Sequence, residues 1–283
     1  MTRLNSHKHL IKLNKCRRIY FKYGFWTLLK YIMEYSLHWG LQLSPTVYWI
    51  VIPEYCRRVY TFDTDAYTAP LDPYKIEWVD PSLITRHTNR VYPPWQNRWE
   101  KFGSVLDGDW DRYHEDHIKP KYFTDRLVFQ AMDRHFNDDI DWVDTEYIQN
   151  KLDKTSRGMT VWHGCTRKED VMRRCEWLDE VFEDIKESGY KTQKELIIED
   201  GYDRGYRSCM ANEISIDVAR DGELLYVDGQ HRLAIAKILD LDSIPVVFHV
   251  RHKCWMEYRD RCFELGTTPN HPDFKEIVLD TVG

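Results

Sequence analysis

The hydrophobic and polar positions of this chain follow two periods, helical over its first part and mixed helix and strand over the rest. Between Arg17 and Ile52 the apolar residues Phe21, Phe25, Leu28, Leu29, Ile32, Tyr35 and Trp39 recur at helical spacing. Lys22, Lys30, Glu34, His38 and the pair Ser44-Pro45 interrupt this run. No clean apolar stretch of about 18 residues is left, so a spanning helix is not expected. Lys75 to Val79 alternates as a strand, and Asp80-Pro81-Ser82 opens a short turn or helix. Residues 86–121 read as irregular. Helices are predicted over Tyr122 to Phe136 and Thr145 to Leu152. The clearest helix runs from Thr166 to Ser188, with a Thr166/Glu169 capping box at its start. Val171, Cys175, Leu178, Phe182 and Ile185 form its apolar stripe, and Gly189 is placed to end it.

The last third alternates strands and helices. Ile214 to Val218 has period two, Asp221-Gly222 marks a hairpin turn, and Leu224 to Val227 is the return strand. A helix is predicted from Gln230 to Leu239 and a strand from Ile244 to Val250. The pattern predicts an α/β (α+β) protein, a mixed sheet with flanking helices behind a mostly helical N-terminal region. The expected divisions are residues 1–60, a linker rich in Asp, Thr and Pro over 61–74, a domain over 75–252, and a C-terminal extension over 253–283.

Composition narrows the class. The chain has 283 residues, 42% hydrophobic and 30% charged, which fits a soluble globular protein and excludes disordered or polytopic membrane chains. Residues 1–60 hold ten Lys or Arg against two Glu, a net of +8, whereas the remainder carries 30 basic against 44 acidic residues, a net of −14. A basic, aromatic head suits either an anionic membrane surface or packing within its own domain. The acidic body argues against a broad nucleic-acid face. The seven cysteines are scattered without a CxxC pair, so neither a zinc site nor a disulfide framework is expected. A cytoplasmic setting follows, peripheral to the inner membrane face if the head binds lipid.

The candidate chemistry sits in Leu224-Leu225-Tyr226-Val227-Asp228-Gly229-Gln230-His231-Arg232-Leu233-Ala234. A strand ends, a glycine turns, and a helix begins with polar residues. Such a helix N-terminus offers unpaired N–H groups and a positive dipole end to phosphate. Gly229 and Gln230 would approach the phosphates, His231 and Arg232 would hold their oxygens, and Asp228 would bind a divalent metal or accept a proton. The bland alternative is a turn with a capping Asp and a surface Arg. Asp107, Asp109 and Asp111 alternate in a Gly-containing loop that suits Mg²⁺ or simple solvation. Arg220 and Arg251 are expected to border the site together with Asp109 and Asp111. Cys165 near a helix start could be reactive or merely buried, and His114 and His117 form an incomplete metal pair.

The order of these elements resembles the ParB/sulfiredoxin superfamily, over about 170 residues from Trp78 to Arg251 with a large insertion near 90–165. The strand and turn from Trp78 to Ile84 resemble the family's first element. Leu178 to Tyr190 resembles its helix ending in glycine, and Glu213 to Val218 with Leu224 to Val227 resemble its paired strands. Asp228-Gly229-Gln230-His231-Arg232-Leu233-Ala234 matches the signature DG-x-[HR]-R-x-A, and Ile244-Pro245-Val246 matches the closing IPV strand. The resemblance implies a small α/β fold that binds a nucleotide, ATP, ADP or CTP, with Mg²⁺ as an accompanying ion. Gln230 stands where sulfiredoxins carry their cysteine nucleophile. Gln230-His231 replaces the Glu-Arg of the CTP-hydrolysing partition proteins. The His-Arg pair is similar to that of the superfamily's free-serine kinases, which implies phosphoryl transfer to a small hydroxyl compound or glycan precursor. A nucleotide-sensing or DNA-associated module and a nuclease remain the alternatives.

Overall fold

A computed structural model describes residues 16–17, 19–29, 31–33, 51, 54–55, 57–59, 61–90, 102–113, 121–162, 164–200 (side chains to 196) and 213–275. The chain divides into two compact units, residues 1–56 and 57–283. In the first, the described residues between 16 and 33 are helical, with a break at Gly24. Tyr35 and Trp39 lie outside the described residues.

The second unit holds six strands: β1 (Ile76–Val79), β2 (Ile84–His87), β3 (Ser104–Leu106), β4 (Ile214–Val218), β5 (Leu224–Asp228) and β6 (Ile244–His252). Its helices are α1 (Leu127–Asp138), α2 (Glu146–Ser156), α3 (Lys168–Ser188), α4 (Gln193–Asp200), α5 (Gln230–Ile238) and α6 (Lys253–Glu264). The strands form one mixed sheet in the order β1-β6-β4-β5-β2, with β3 also paired to β6. The β1–β6 and β4–β5 pairs are antiparallel, and the β4–β6, β2–β5 and β3–β6 pairs are parallel. This is the expected α+β architecture. The strands β2 and β3 fall within or beside the stretch read as irregular, and α4 and α6 went unread. All four are short or lack a clean period.

The period-two reading of β4 implies one wet face, yet every residue of β4 and β6 is buried. The alternation sorts apolar from polar burial instead. Ile214, Ile216 and Val218 join the core shared with α1, α2, α3 and α5. Asp217 is inaccessible to solvent. Its carboxylate accepts from Arg90 Nε and Nη2 at 2.6 and 2.9 Å and from the Val250 N–H at 3.1 Å. The β4–β6 register shifts between Ile216 and Val218, where this side chain takes a bond that a ladder carbonyl would otherwise take.

The stripe Val171, Cys175, Leu178, Phe182 and Ile185 is buried along α3, and Gly189 ends the helix as expected. The cap differs by one residue. Arg167 is the N-cap, and Asp170, not Glu169, closes it by accepting from the Thr166 and Arg167 N–H groups, each at 3.2 Å.

Residues 61–74 are not a solvated linker. Phe62, Ala69 and Tyr74 are buried, and the Ala69 N–H donates to Asp260 Oδ1 at 2.9 Å. The C-terminal extension is also integral. A short 3-10 helix, Pro272–Phe274, places Asp273 against Arg251, whose Nε and Nη2 donate at 3.0 and 2.6 Å. Trp255 Nε1 donates to the same carboxylate at 2.8 Å, and Arg259 lies 3.4 Å away. Burial pushes the Asp273 carboxyl upward, but the two guanidiniums outweigh it and hold it at about 2. The unfolded value lies near 3.9, so this stabilisation is complete above that pH and is lost as pH falls toward 2. Asp273→Ala leaves two buried guanidiniums without their carboxylate and should cost about 3–5 kcal/mol. The drop should show as a lower urea midpoint at neutral pH and should shrink as the pH is brought down toward 2.

Candidate functional site

Strand β5 delivers Asp228 to the edge of the sheet, and Gly229 turns the chain into α5. Gly229 sits at φ 93° and ψ 31°. A Cβ there would lie 3.0 Å from Ile214 Cγ1 and 3.1 Å from the Ile214 Cα, so both the backbone angle and the space demand glycine. Glycine brings no capping side chain to α5. The first-turn N–H groups of Gln230, His231 and Arg232 therefore present the positive end of the helix without a cap from the residue before it. The Asp228 carboxylate curls over the turn and accepts from the Gly229 N–H at 2.8 Å.

Two side chains from other helices converge on this turn. Arg126, the N-cap of α1, donates from Nη2 to Gln230 Oε1 at 2.7 Å. Its Nη1 lies 2.7 Å from His87 Nε2, and its guanidinium stands 5.4 Å from the Tyr226 ring centre. His231 Nε2 lies 3.2 Å from the Tyr147 hydroxyl on α2, with the Trp162 ring 5.5 Å away. Lys151, one turn further along α2, holds its ammonium 4.0 Å from the Tyr147 ring and 5.0 Å from the Trp162 ring. Burial, with Lys154 adding repulsion, brings the Lys151 ammonium down to about 8. Among the described residues, neither Arg126 nor Lys151 forms an ion pair with a carboxylate.

Arg232, expected to hold phosphate oxygens, has a carboxylate neighbour. Its Nη1 lies 3.7 Å from Glu213 Oε2, and its guanidinium stands 5.9 Å from the Tyr190 ring centre. Glu213 is 1% exposed, and its Oε1 accepts from the Gln193 N–H at 2.5 Å. Burial pushes the Glu213 carboxyl up to about 7, against the opposing pull of Arg232. Arg232 thus ties α5 to the start of β4, whereas Arg126 and Lys151 have no such carboxylate among the described residues.

The expected border residues lie elsewhere. Asp228 pairs with Ser215, whereas Leu224 pairs with Val218, and Val218 with Arg251. Arg251 and the hairpin bearing Arg220 therefore stand at the opposite end of the sheet, about 13 Å along the strands from Asp228. Arg251 is taken up by Asp273. Arg220 donates to Asp111 from Nε and Nη2 at 2.8 and 2.7 Å and to Asp109 at 2.8 Å. Burial would raise the Asp111 carboxyl, but its bonds to Arg220 hold it at about 2. Asp107 accepts from the Gly108 N–H at 2.7 Å. Asp109 and Asp111 serve the hairpin, while Asp107 faces Lys253 at 3.6 Å. No three His, Cys, Asp or Glu side chains gather as metal ligands among the described residues. Beside this hairpin an open cleft of about 740 Å³ is lined by Arg86, Tyr113, Lys121, Tyr122, Arg220 and Glu223 among others. Arg86 is itself paired with Glu223 there.

Cys165 is buried, and burial followed by Asp170 pushes its thiol up, away from the thiolate form. His114 and His117 lie outside the described residues. The sequence pattern had no signal for Arg126, Tyr147, Lys151 or Glu213, because they reach the turn from elements distant in sequence. Trp162, three residues before Cys165, carries no local signal either.

No family model, curated protein or solved structure matches the chain. The fold and site define an α+β protein whose strand-to-helix turn has no N-cap side chain and is approached by Arg126.

The raised Glu213 carboxyl predicts a pH dependence. Its folded value exceeds the unfolded one near 4.3, so the stability it contributes is complete below that value and is lost as pH rises to about 7. Glu213→Gln should flatten this part of the curve of unfolding midpoint against pH between about 4 and 7.

Proposed function

We propose that the turn at Asp228–Arg232 binds the phosphates of a nucleotide, and that the protein transfers a phosphoryl group to a small hydroxyl compound. The observation that carries the binding half is the half-buried Arg126, whose guanidinium reaches Gln230 in the first turn of α5, with the half-buried Lys151 lying on the Tyr147 and Trp162 rings that adjoin His231. A cation with no carboxylate partner among the described residues, placed at a positive helix end, favours an anion. Tyr147 and Trp162 offer flat faces beside those cations for a base or sugar. The resemblance of Asp228-Gly229-Gln230-His231-Arg232 to the ParB/sulfiredoxin superfamily supports the same ligand class. ATP, ADP and CTP are the nucleotides to test. A nucleotide ligand also favours work on the cytoplasmic side.

The chemistry asked of the residues is modest, because phosphoryl transfer depends on alignment and charge neutralisation. Arg126, Lys151 and the α5 N–H groups would hold the phosphate oxygens. Asp228 would accept the proton of the incoming hydroxyl as its oxygen bonds to phosphorus and the bridging oxygen of the nucleotide departs. His231, oriented by the Tyr147 hydroxyl, would face the same oxygens. Mg²⁺, if it accompanies the nucleotide, would neutralise phosphate charge and take most ligands from phosphate and water, with Asp228 as the carboxylate of the turn.

Lys151→Met and Arg126→Met should each weaken nucleotide binding by about one to two decades, the value of a charge-assisted hydrogen bond of roughly 1.5–3 kcal/mol. Titration calorimetry should also show wild-type affinity falling above pH 8 by up to about tenfold per pH unit, as Lys151 loses its proton. The Lys151→Met variant should lack this slope. Unchanged binding in both variants would remove the site. Asp228→Asn should keep nucleotide binding and lose transfer from labelled ATP or ADP to a panel of small alcohols. A wild type that binds nucleotide but labels no alcohol would leave a sensing module in place of a kinase.

A further inference from the structure

The first unit exposes an aromatic surface that its own fold leaves uncovered. Phe21 and Trp26 are 73% and 78% exposed, and Tyr20, Tyr23, Phe25 and Met33 are also exposed. Two exposed ring pairs, Tyr20–Phe21 and Phe25–Trp26 with centres 5.4 and 5.5 Å apart, are more than the single scattered apolar residues of an ordinary surface and mark a docking site. Basic groups are interleaved with them: the Arg17 guanidinium stands 5.7 Å from the Phe21 ring centre and the Lys22 ammonium 5.0 Å from that of Tyr23. Residues 1–60 carry ten basic against two acidic side chains.

The geometry points to an anionic lipid bilayer as the occupant, with residues 16–33 lying in the headgroup region and not crossing it. Among the described residues no helix is long and apolar enough to span a membrane. Trp and Tyr, with one apolar and one polar side, favour the membrane–water boundary. Arg17 and Lys22 can extend their charged ends to lipid phosphates while their stems lie along the rings. The sign of the charge selects the partner: the head at +8 is attracted to an anionic leaflet, while the body at −14 is repelled by it. A neutral membrane would use the aromatic groups but not the cations, and an acidic protein would use the cations without needing six exposed apolar side chains. This inference is independent of nucleotide binding.

The test is co-sedimentation of the full chain with phosphatidylcholine vesicles, prepared with and without phosphatidylglycerol. The protein should pellet with the anionic vesicles, and pelleting should weaken as salt is raised, because screening shortens the reach of the headgroup charge. Arg17→Gln and Lys22→Gln should each weaken partitioning about fivefold, the usual worth of one basic residue near an anionic surface. Phe21→Ser/Trp26→Ser should lose binding while far-UV circular dichroism stays unchanged, since both side chains are exposed. A chain that stays in the supernatant overturns the proposal, as does equal binding to neutral vesicles. So does lipid-free self-association abolished by Trp26→Ser, which would make the surface a contact between copies.

Discussion

The sheet is organised around a carboxylate with no access to water. Asp217 stands on the central strand, and ionising it there is tolerable only because Arg90 and the Val250 N–H both reach it. That requirement shapes the architecture. The chain after β2 must bring Arg90 back across the sheet, and the β4–β6 ladder must shift by a residue to give up a backbone donor. A similar cluster lies nearby, where Arg251, Arg259 and Trp255 surround Asp273. One face of the sheet is thus held by apolar packing and the other by buried charge. The polar face is covered by segments that would otherwise be expendable: residues 61–74, α6 and the C-terminal 3-10 helix.

Charges at the two ends of the sheet are handled differently. At the hairpin end, Arg220 and Arg86 are matched by Asp111 and Glu223, so their charge is spent on the fold. At the other end, Arg232 alone is matched, by Glu213, while Arg126 and Lys151 lean on a glutamine, a histidine and aromatic rings. Removing a matched cation would unbalance a buried partner, whereas removing Arg126 or Lys151 would strand no carboxylate among the described residues.

Much of the core was legible from period alone. The α3 stripe, the hairpin and the β5–Gly229–α5 turn all follow from local pattern and turn chemistry. The errors have a common physical origin. The alternation of Ile214-Ser215-Ile216-Asp217-Val218 looks half-exposed because a partner 127 residues away in sequence cannot be read from it. The approach of Arg232 to Glu213 carried no local signal either. Asp109, Asp111 and Arg220 looked like a site because their mutual pairing spans over a hundred residues. Local chemistry reveals where a turn is; only tertiary structure reveals which of its charges are already satisfied.

The position of β6 has a consequence for how the chain is made. It pairs with β1, β3 and β4, so Val79 must wait for Ile244 and Ser104 for Val250 before either has a neighbour. At ribosomal rates of about 5–20 residues per second, the delay between β1 and its partner is roughly ten to thirty seconds. During that interval the early strands have open edges, and the aromatic head has already left the ribosome. The order of synthesis therefore leaves the nascent chain open to misassociation until the last strand arrives.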